Sequence, residues 1–342
     1  MSDWTKWLGA CAIAALAGGA MTTQAAAQST LEKIKTRGEI VCGTSQGIPG
    51  FSLPNAQGVW EGFDTDYCRA ISAAIFDDPN KAKYIPLASK DRFTMLGTGQ
   101  IDVLVRTATW TMSRDASLGI MSVAVNYYDG QGFLVKKGVA KSIKDMNGAT
   151  VCMPQGTTSE LNVADFARTN GLKFEIVAFA DLDPIIQGLE SGRCDAYSTD
   201  ASQLYTSRFK FANPDNYIVL PDIISKEPLS AFVKRGDETW FMIVRWTLMA
   251  MLGAEELGVP QANVDEMVKS QNPDVRRLLG VEGNFGEQLG LTKDWAYRII
   301  KKVGNYGESF ERNLGQGSKM KMERGLNALW NKGGLQYPGP VR

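Results

Sequence analysis

One seven-residue pattern occurs twice in this chain. Leu96-Gly97-Thr98-Gly99-Gln100-Ile101-Asp102 and Leu189-Glu190-Ser191-Gly192-Arg193-Cys194-Asp195 share the form Leu-x-Thr/Ser-Gly-Gln/Arg-x-Asp. In each copy the spacing predicts a helix that ends at the Gly, which takes a left-handed C-cap. A strand then begins near the Asp. Two helix-strand units with one grammar predict an α/β chain of two similar lobes. The carboxyl ends of strands in such sheets are where ligands bind. In the first copy those positions are Arg106, Thr107 and Thr109; in the second they are Ser198, Thr199 and Asp200.

The strand-helix alternation extends around both copies. Residues 31–37 read as a short helix stopped by Gly38, and a strand opens at Glu39. Asp64 to Phe76 has helical apolar spacing. Strands are predicted near 83–87 and 101–106, and helices near 91–98 and 113–118. Gly130 to Val135 and Ser230 to Val233 read as strands, each closed by basic residues and Gly. These two passages predict crossings between lobes. Lobe 1 is then 28–130 with 232–342, and lobe 2, 131–231, is an insertion in it. Helices are predicted over Thr239 to Gly253, Asn263 to Val268, Pro273 to Leu279, Trp295 to Val303 and Gly317 to Trp330. Thr239 to Gly253 is too short to span a bilayer and is interrupted by Arg245.

Composition narrows the function. No histidine occurs among the 342 residues. Ser-His-Asp triads, Cys-His dyads and imidazole metal sites are therefore excluded. The 37 Lys and Arg balance 37 Asp and Glu, which argues against wide electrostatic binding of nucleic acid. Residues 1–27 read as an export signal. Lys6 precedes the apolar run Leu8 to Ala20, and Ala25-Ala26-Ala27 precedes the expected cut. The exported chain keeps Cys42, Cys68, Cys152 and Cys194, an even set that suggests disulfides. Of the three pairings, Cys42–Cys68 with Cys152–Cys194 lies within the lobes and leaves them free to move. Four buried thiols are the alternative. No CxxC spacing offers a zinc site.

Four polar stretches carry the chemistry: Gly62-Phe63-Asp64-Thr65-Asp66, Thr107-Ala108-Thr109 with Arg114, Gln155 to Glu160, and Asp195 to Asp200. Arg114 offers a guanidinium fork that matches a carboxylate. Thr107 and Thr109 add hydroxyl or backbone donors. Thr157 and Thr158 stand where a strand turns into a helix, whose N-terminus favours an anion; a Thr there also serves as an N-cap. Asp200 accepts from an ammonium group, or caps the helix that starts near Ala201. Phe51, in the loop 45–58, is expected to wall the site. Together these groups fit a free amino acid held between two lobes.

These stretches, with Gly99 to Asp102 and Gly304 to Asn313, resemble the extracytoplasmic solute-binding proteins of polar amino-acid ABC importers. These are bacterial solute-binding protein family 3, and the similarity is strongest to the general L-amino-acid-binding branch. The resemblance implies a hinged, two-lobe α/β fold of periplasmic binding protein type II with a long helical C-terminal extension. It implies that Arg114, Thr109 and Thr158 hold an α-carboxylate, and that Asp200 and Thr107 meet the α-amine. Ser89-Lys90-Asp91-Arg92 is similar to a segment of acidic-amino-acid binders, which makes Ser89 and Arg92 side-chain contacts. Arg106 stands where Ser is usual, and Ile48 replaces a usual aromatic. The implied protein is a periplasmic monomer without cofactor or metal. It takes a broad set of L-amino acids, including Glu, Asp and Gln, to membrane permease subunits. The alternative on this fold is a cyclohexadienyl (prephenate or arogenate) dehydratase.

Overall fold

The computed structural model describes residues 28–342, so the export signal and its cut after Ala27 lie outside the described residues. The chain begins with α1 (Thr30–Arg37), β1 (Ile40–Thr44), a ribbon of β2 (Leu53–Pro54) and β3 (Trp60–Glu61), and α2 (Phe63–Phe76). It continues through β4 (Ala82–Pro86), α3 (Arg92–Gly97), β5 (Val103–Thr109), α4 (Met112–Ser117) and β6 (Ile120–Asp129). A second set follows: β7 (Gln131–Lys136), β8 (Thr150–Pro154), α5 (Thr158–Asn170), β9 (Glu175–Phe179), α6 (Leu182–Ser191), β10 (Ala196–Asp200), α7 (Ala201–Ser207) and β11 (Tyr217–Val219). The chain returns through β12 (Glu227–Lys234). It ends with α8 (Glu238–Glu256), α9 (Val264–Met267), α10 (Pro273–Leu278), α11 (Phe285–Gln288), α12 (Trp295–Val303) and α13 (Tyr306–Asn313).

Two five-stranded sheets result, ordered β4-β1-β5-β12-β6 and β11-β7-β10-β8-β9. Read from the β4 and β9 edges they are the same sheet. Each has two parallel pairings followed by two antiparallel ones. The central strands, β5 and β10, are those opened by the repeated pattern. Its glycines take the left-handed conformation in both copies, with φ 76° at Gly99 and 77° at Gly192. Its aspartates do the same work too. The Asp102 N–H donates to Val41 O, and the Val41 N–H donates to the Asp102 carboxylate at 2.7 Å. Asp195 makes the equivalent pair with Thr150, whose N–H donates to its carboxylate at 2.8 Å. Each Asp thus stitches the start of the central strand to its parallel neighbour.

Strand bounds differ from the pattern. β5 and β10 include the residues expected just beyond them, because their hydrogen bonding continues to Thr109 and Asp200. β12 pairs with β6 from Glu227, so this strand starts three residues ahead of the expected Ser230. Disulfides join Cys42 to Cys68, with Cα atoms 6.4 Å apart, and Cys152 to Cys194, at 5.8 Å. Cys194 lies in the turn ahead of β10.

The helical extension belongs to the first lobe. α8, α12 and α13 pack on α2 around one apolar core that includes Trp240, Trp295, Tyr306 and Phe310. The helix expected over Gly317 to Trp330 does not form. That stretch holds only a short 3-10 turn at Gly325–Asn327, since Gly and Lys give it no continuous apolar stripe. α13 forms instead, opened by a capping box of Asn305 and Glu308.

Candidate functional site

The site begins at Gly62. Its φ is 135°, and a Cβ there would lie 2.2 Å from Phe51 O, so only Gly brings the start of α2 this close to the loop. Phe63, Asp64 and Asp66 then face three ways. Phe63 enters the core. Asp66 accepts from Ser309, Arg312 and Asn313 of the extension. The Asp64 carboxylate accepts the Thr107 N–H at 3.2 Å.

That bond supports an irregular strand. The pairing of β5 with β12 shifts register between Ala108 and Leu104. Inside the bulge, Thr107 has φ 33°, a region β-branched residues avoid. Bulges re-aim side chains beside functional sites. Central in its sheet, β5 is buried at all seven residues, Val103–Thr109. Burial raises the Asp64 carboxyl to about 7, against the pull of the Thr107 N–H and the Arg106 guanidinium. Burial lowers Arg106 to about 10.

Across the cleft, Gly156 lets the second lobe close on the first: a Cβ would meet Lys90 Cα at 2.9 Å. Thr157 is the N-cap of α5, its hydroxyl accepting from the Ser159 N–H and donating to Pro154 O. Asp200 occupies the N-cap position of α7 but forms no side-chain cap. Asp129 takes that role and accepts the Ser202 N–H. The Asp200 carboxyl is thereby left to the cleft. Burial raises it well above the ordinary range, as do Asp129 and Glu227, while Arg92 and Arg114 oppose the shift.

Ser89, Arg92, Arg106, Thr107, Thr109, Thr157, Thr158 and Asp200 line one cavity between the lobes. Arg114 stands behind it and donates to Thr109 O at 2.5 Å. The guanidinium carbons of Arg92 and Arg114 each lie 4.8 Å from the Phe93 ring centroid, a cation–π arrangement. Burial lowers both guanidinium groups, Arg92 by more. Among the described residues the Arg92 Nε has no hydrogen-bond partner.

Phe51 does not wall this site. It is fully buried and packs edge-on to Phe63 and Tyr127, because the bridge between Ile48 and Ser52 folds its loop inward. Ile48 is the apolar residue left at the cleft.

Sequence reasoning missed Glu227, which is 1% exposed. Its carboxylate accepts from the Thr109 and Thr158 hydroxyls, one from each lobe. It also accepts from Asn162 and Ser225 at 2.7 and 2.6 Å. The available signal was the charged pair Lys226-Glu227 ahead of the mostly apolar run Leu229 to Val233. Pro228 hid it by moving the expected strand start to Ser230.

The profile of the bacterial extracellular solute-binding proteins, family 3, matches residues 40–261. The chain is 53% identical over 326 residues to the general L-amino acid-binding periplasmic protein AapJ of Rhizobium johnstonii, covering 94% of this chain and 96% of that one. It is 48% identical over 340 residues to the glutamate/glutamine/aspartate/asparagine-binding protein BztA of Rhodobacter capsulatus, covering 99% of each. A solved periplasmic binding protein of an ABC transporter from Brucella ovis, with glutathione bound, superposes with TM-score 0.91 at 52% identity. That match covers 92% of this chain and all of that one.

Proposed function

The chain belongs to the bacterial extracellular solute-binding proteins, family 3, and we propose that it captures free L-amino acids in the periplasm for an ABC importer's permease subunits. The observation that carries this reading is the pair of hydroxyls on Glu227. Thr109 and Thr158 come from opposite lobes and together already hold a carboxylate. They are the hydroxyls assigned to the ligand's α-carboxylate. Arg114 lies behind them to supply the cation, and Asp200 supplies the anion for the α-ammonium. A zwitterion joins the two lobes when it bonds both, which gives it higher affinity for the closed state.

As closed here the cavity measures about 20 Å³, room for about one water by the ~10–15 Å³ that a water needs. An amino acid therefore enters with the lobes apart, and its carboxylate takes a place beside or instead of Glu227. Arg92, buried with an unpartnered Nε, is assigned to side-chain carboxylates.

The relatives matched over nearly the whole chain bear binding-protein names, and this disfavours the dehydratase alternative. The protein acts as a binder rather than an enzyme, and as a monomer.

A thermal-shift screen against the twenty amino acids tests the reading, because a ligand that binds the native state raises its melting temperature. Several L-amino acids raise it, Glu and Asp among them. Repeating the screen with Arg92→Ala cuts the shifts for Glu and Asp more than those for Leu and Ala. A screen with no shift from any amino acid would overturn the reading.

A further inference from the structure

The small cavity opens onto a larger one. Ser89 and Arg106 of the first lobe, with Pro154 and Gln203 of the second, line both. Beyond this throat the outer chamber measures about 240 Å³, twelve times the inner one. Its far wall is Gln46, Gly47 and Ile48 on one lobe, and Ala180, Asp181 and Lys210 on the other. The chamber carries both signs of charge. Lys210 Nζ lies 2.7 Å from the Asp183 carboxylate, in a pair that is partly open to solvent.

We propose that the outer chamber is a second subsite, which admits amino acids whose side chain is extended through an amide, the γ-glutamyl peptides. The proposal rests on the amino-acid reading of the inner chamber. That chamber demands a free α-ammonium on Asp200 and a free α-carboxylate on Thr109, Thr158 and Arg114. An α-linked peptide has no residue with both groups free. A γ-linked peptide keeps both on its glutamyl residue, and its chain continues from the side chain. The lining shared at Arg106 and Ser89 gives that chain a way out of the inner chamber. Arg106 there supplies N–H donors for the γ-amide carbonyl. In the outer chamber the amide groups and terminal carboxylate of the tail meet Lys210 and Gln46, and Ile48 and Ala180 cover its carbon atoms.

Calorimetry with L-glutamate, γ-L-glutamylglycine and α-L-glutamylglycine on the full exported chain tests this, since the two dipeptides are isomers. The γ isomer binds within about tenfold of glutamate, and the α isomer binds at least about a hundredfold more weakly than the γ isomer. Ala180→Trp fills the outer chamber, so it weakens the γ isomer by about tenfold or more and leaves glutamate unchanged. Gln46→Trp, at the exposed rim, gives the same split should Ala180→Trp fail to fold. Glutamate binding without the γ isomer would overturn the second subsite and leave the inner reading standing. Equal binding of both isomers, or an equal loss of glutamate and γ isomer in the Trp variants, would also overturn it. Binding of none of the three would overturn both readings.

Discussion

The two copies of the repeated pattern share a scaffold and differ in what they deliver. Both place a central strand after a left-handed Gly, and both stitch that strand to its neighbour through an Asp. From there they part. β10 pairs with β7 in five unbroken steps and runs straight into α7. β5 is bulged, holds Thr107 at φ 33° and is braced by Asp64. The regular copy ends in an anion, Asp200. The irregular copy gathers the cations, with Arg106 on the strand and Arg92 and Arg114 on the helices either side. The repeat therefore brings two strand ends to one cleft, and departures from it decide the charge each end presents. A zwitterion needs both signs, so neither lobe holds one alone.

The sharpest way to break this comparison is to remove the cation. Arg114→Ala strips the carboxylate grip proposed as common to all amino-acid ligands. Losing one partner of a desolvated charge pair costs ~2–5 kcal/mol, so calorimetry should show affinity for every amino acid falling by at least about thirtyfold. A folded Arg114→Ala protein with unchanged affinities would remove it from the site.

The disulfides test whether the lobes are equally staked. They start from equivalent strands, β1 and β8, and close sequence separations of 26 and 42 residues. The chain-entropy model assigns about 3.5–4 kcal/mol to each. Replacing either pair with alanines should lower stability by that amount in urea titration. Cys152→Ala with Cys194→Ala should also weaken ligand binding, since Cys194 lies in the turn that leads to Asp200. Binding losses of equal size from both pairs would count against this asymmetry.

Removing the anion is the converse of removing Arg114. Asp200→Asn keeps the shape of the group and loses its charge, at ~1.5–3 kcal/mol for a hydrogen bond to a charged partner. The loss should appear with amino acids and vanish with the matching α-hydroxy acids, which lack the ammonium. The pH dependence follows from the raised Asp200 carboxyl. An ammonium favours the ionised form, so the ligand lowers the pKa that burial has raised. Between the bound and free values binding releases a proton, and affinity falls as pH drops through that window. The free value lies above the ~3.9 of an ordinary Asp. Calorimetry in buffers of different ionisation heat reads the proton directly, and in Asp200→Asn its share of the release should be lost.

Much of this was legible in sequence because it rests on local rules. A Gly C-cap, an Asp at a strand start and the helix signature of Asp64 to Phe76 each depend on a few neighbours. Eight of the expected site residues line the cavity, some expected from local pattern and others, Ser89 and Arg92 among them, from the family resemblance. What failed depends on distant partners. Phe51 is in the core because Gly62 and Ile48 fold its loop inward. Asp64 and Asp66 stand two residues apart in one helical turn, yet one braces the site and the other holds the extension. Glu227 pairs across the crossing with residues on both lobes. For the three carboxylates no local pattern separates the cases, since their deciding contacts lie 43 residues away or more.

The smallest effect tests the bulge itself, by one substitution made at both strand ends. Thr107 carries a β-branched side chain at positive φ, a strain worth roughly 1–2 kcal/mol. Glycine relieves that strain and costs about 0.5–1 kcal/mol in chain entropy. The Asp64 bond to the Thr107 backbone N–H survives the change. Thr107→Gly should therefore leave stability unchanged or raise it slightly, while it weakens binding through loss of the hydroxyl. Thr199 on β10 is equally buried, but it pairs with Gly132 in regular extended geometry. Thr199→Gly gains nothing from strain relief and loses β propensity and packing, at about 1 kcal/mol or more. Urea titration of the two ligand-free variants should separate them by about 1–2 kcal/mol, with Thr107→Gly the more stable. Equal losses would mean that Thr107 is unstrained, and that the cation-bearing strand is no less regular than its counterpart.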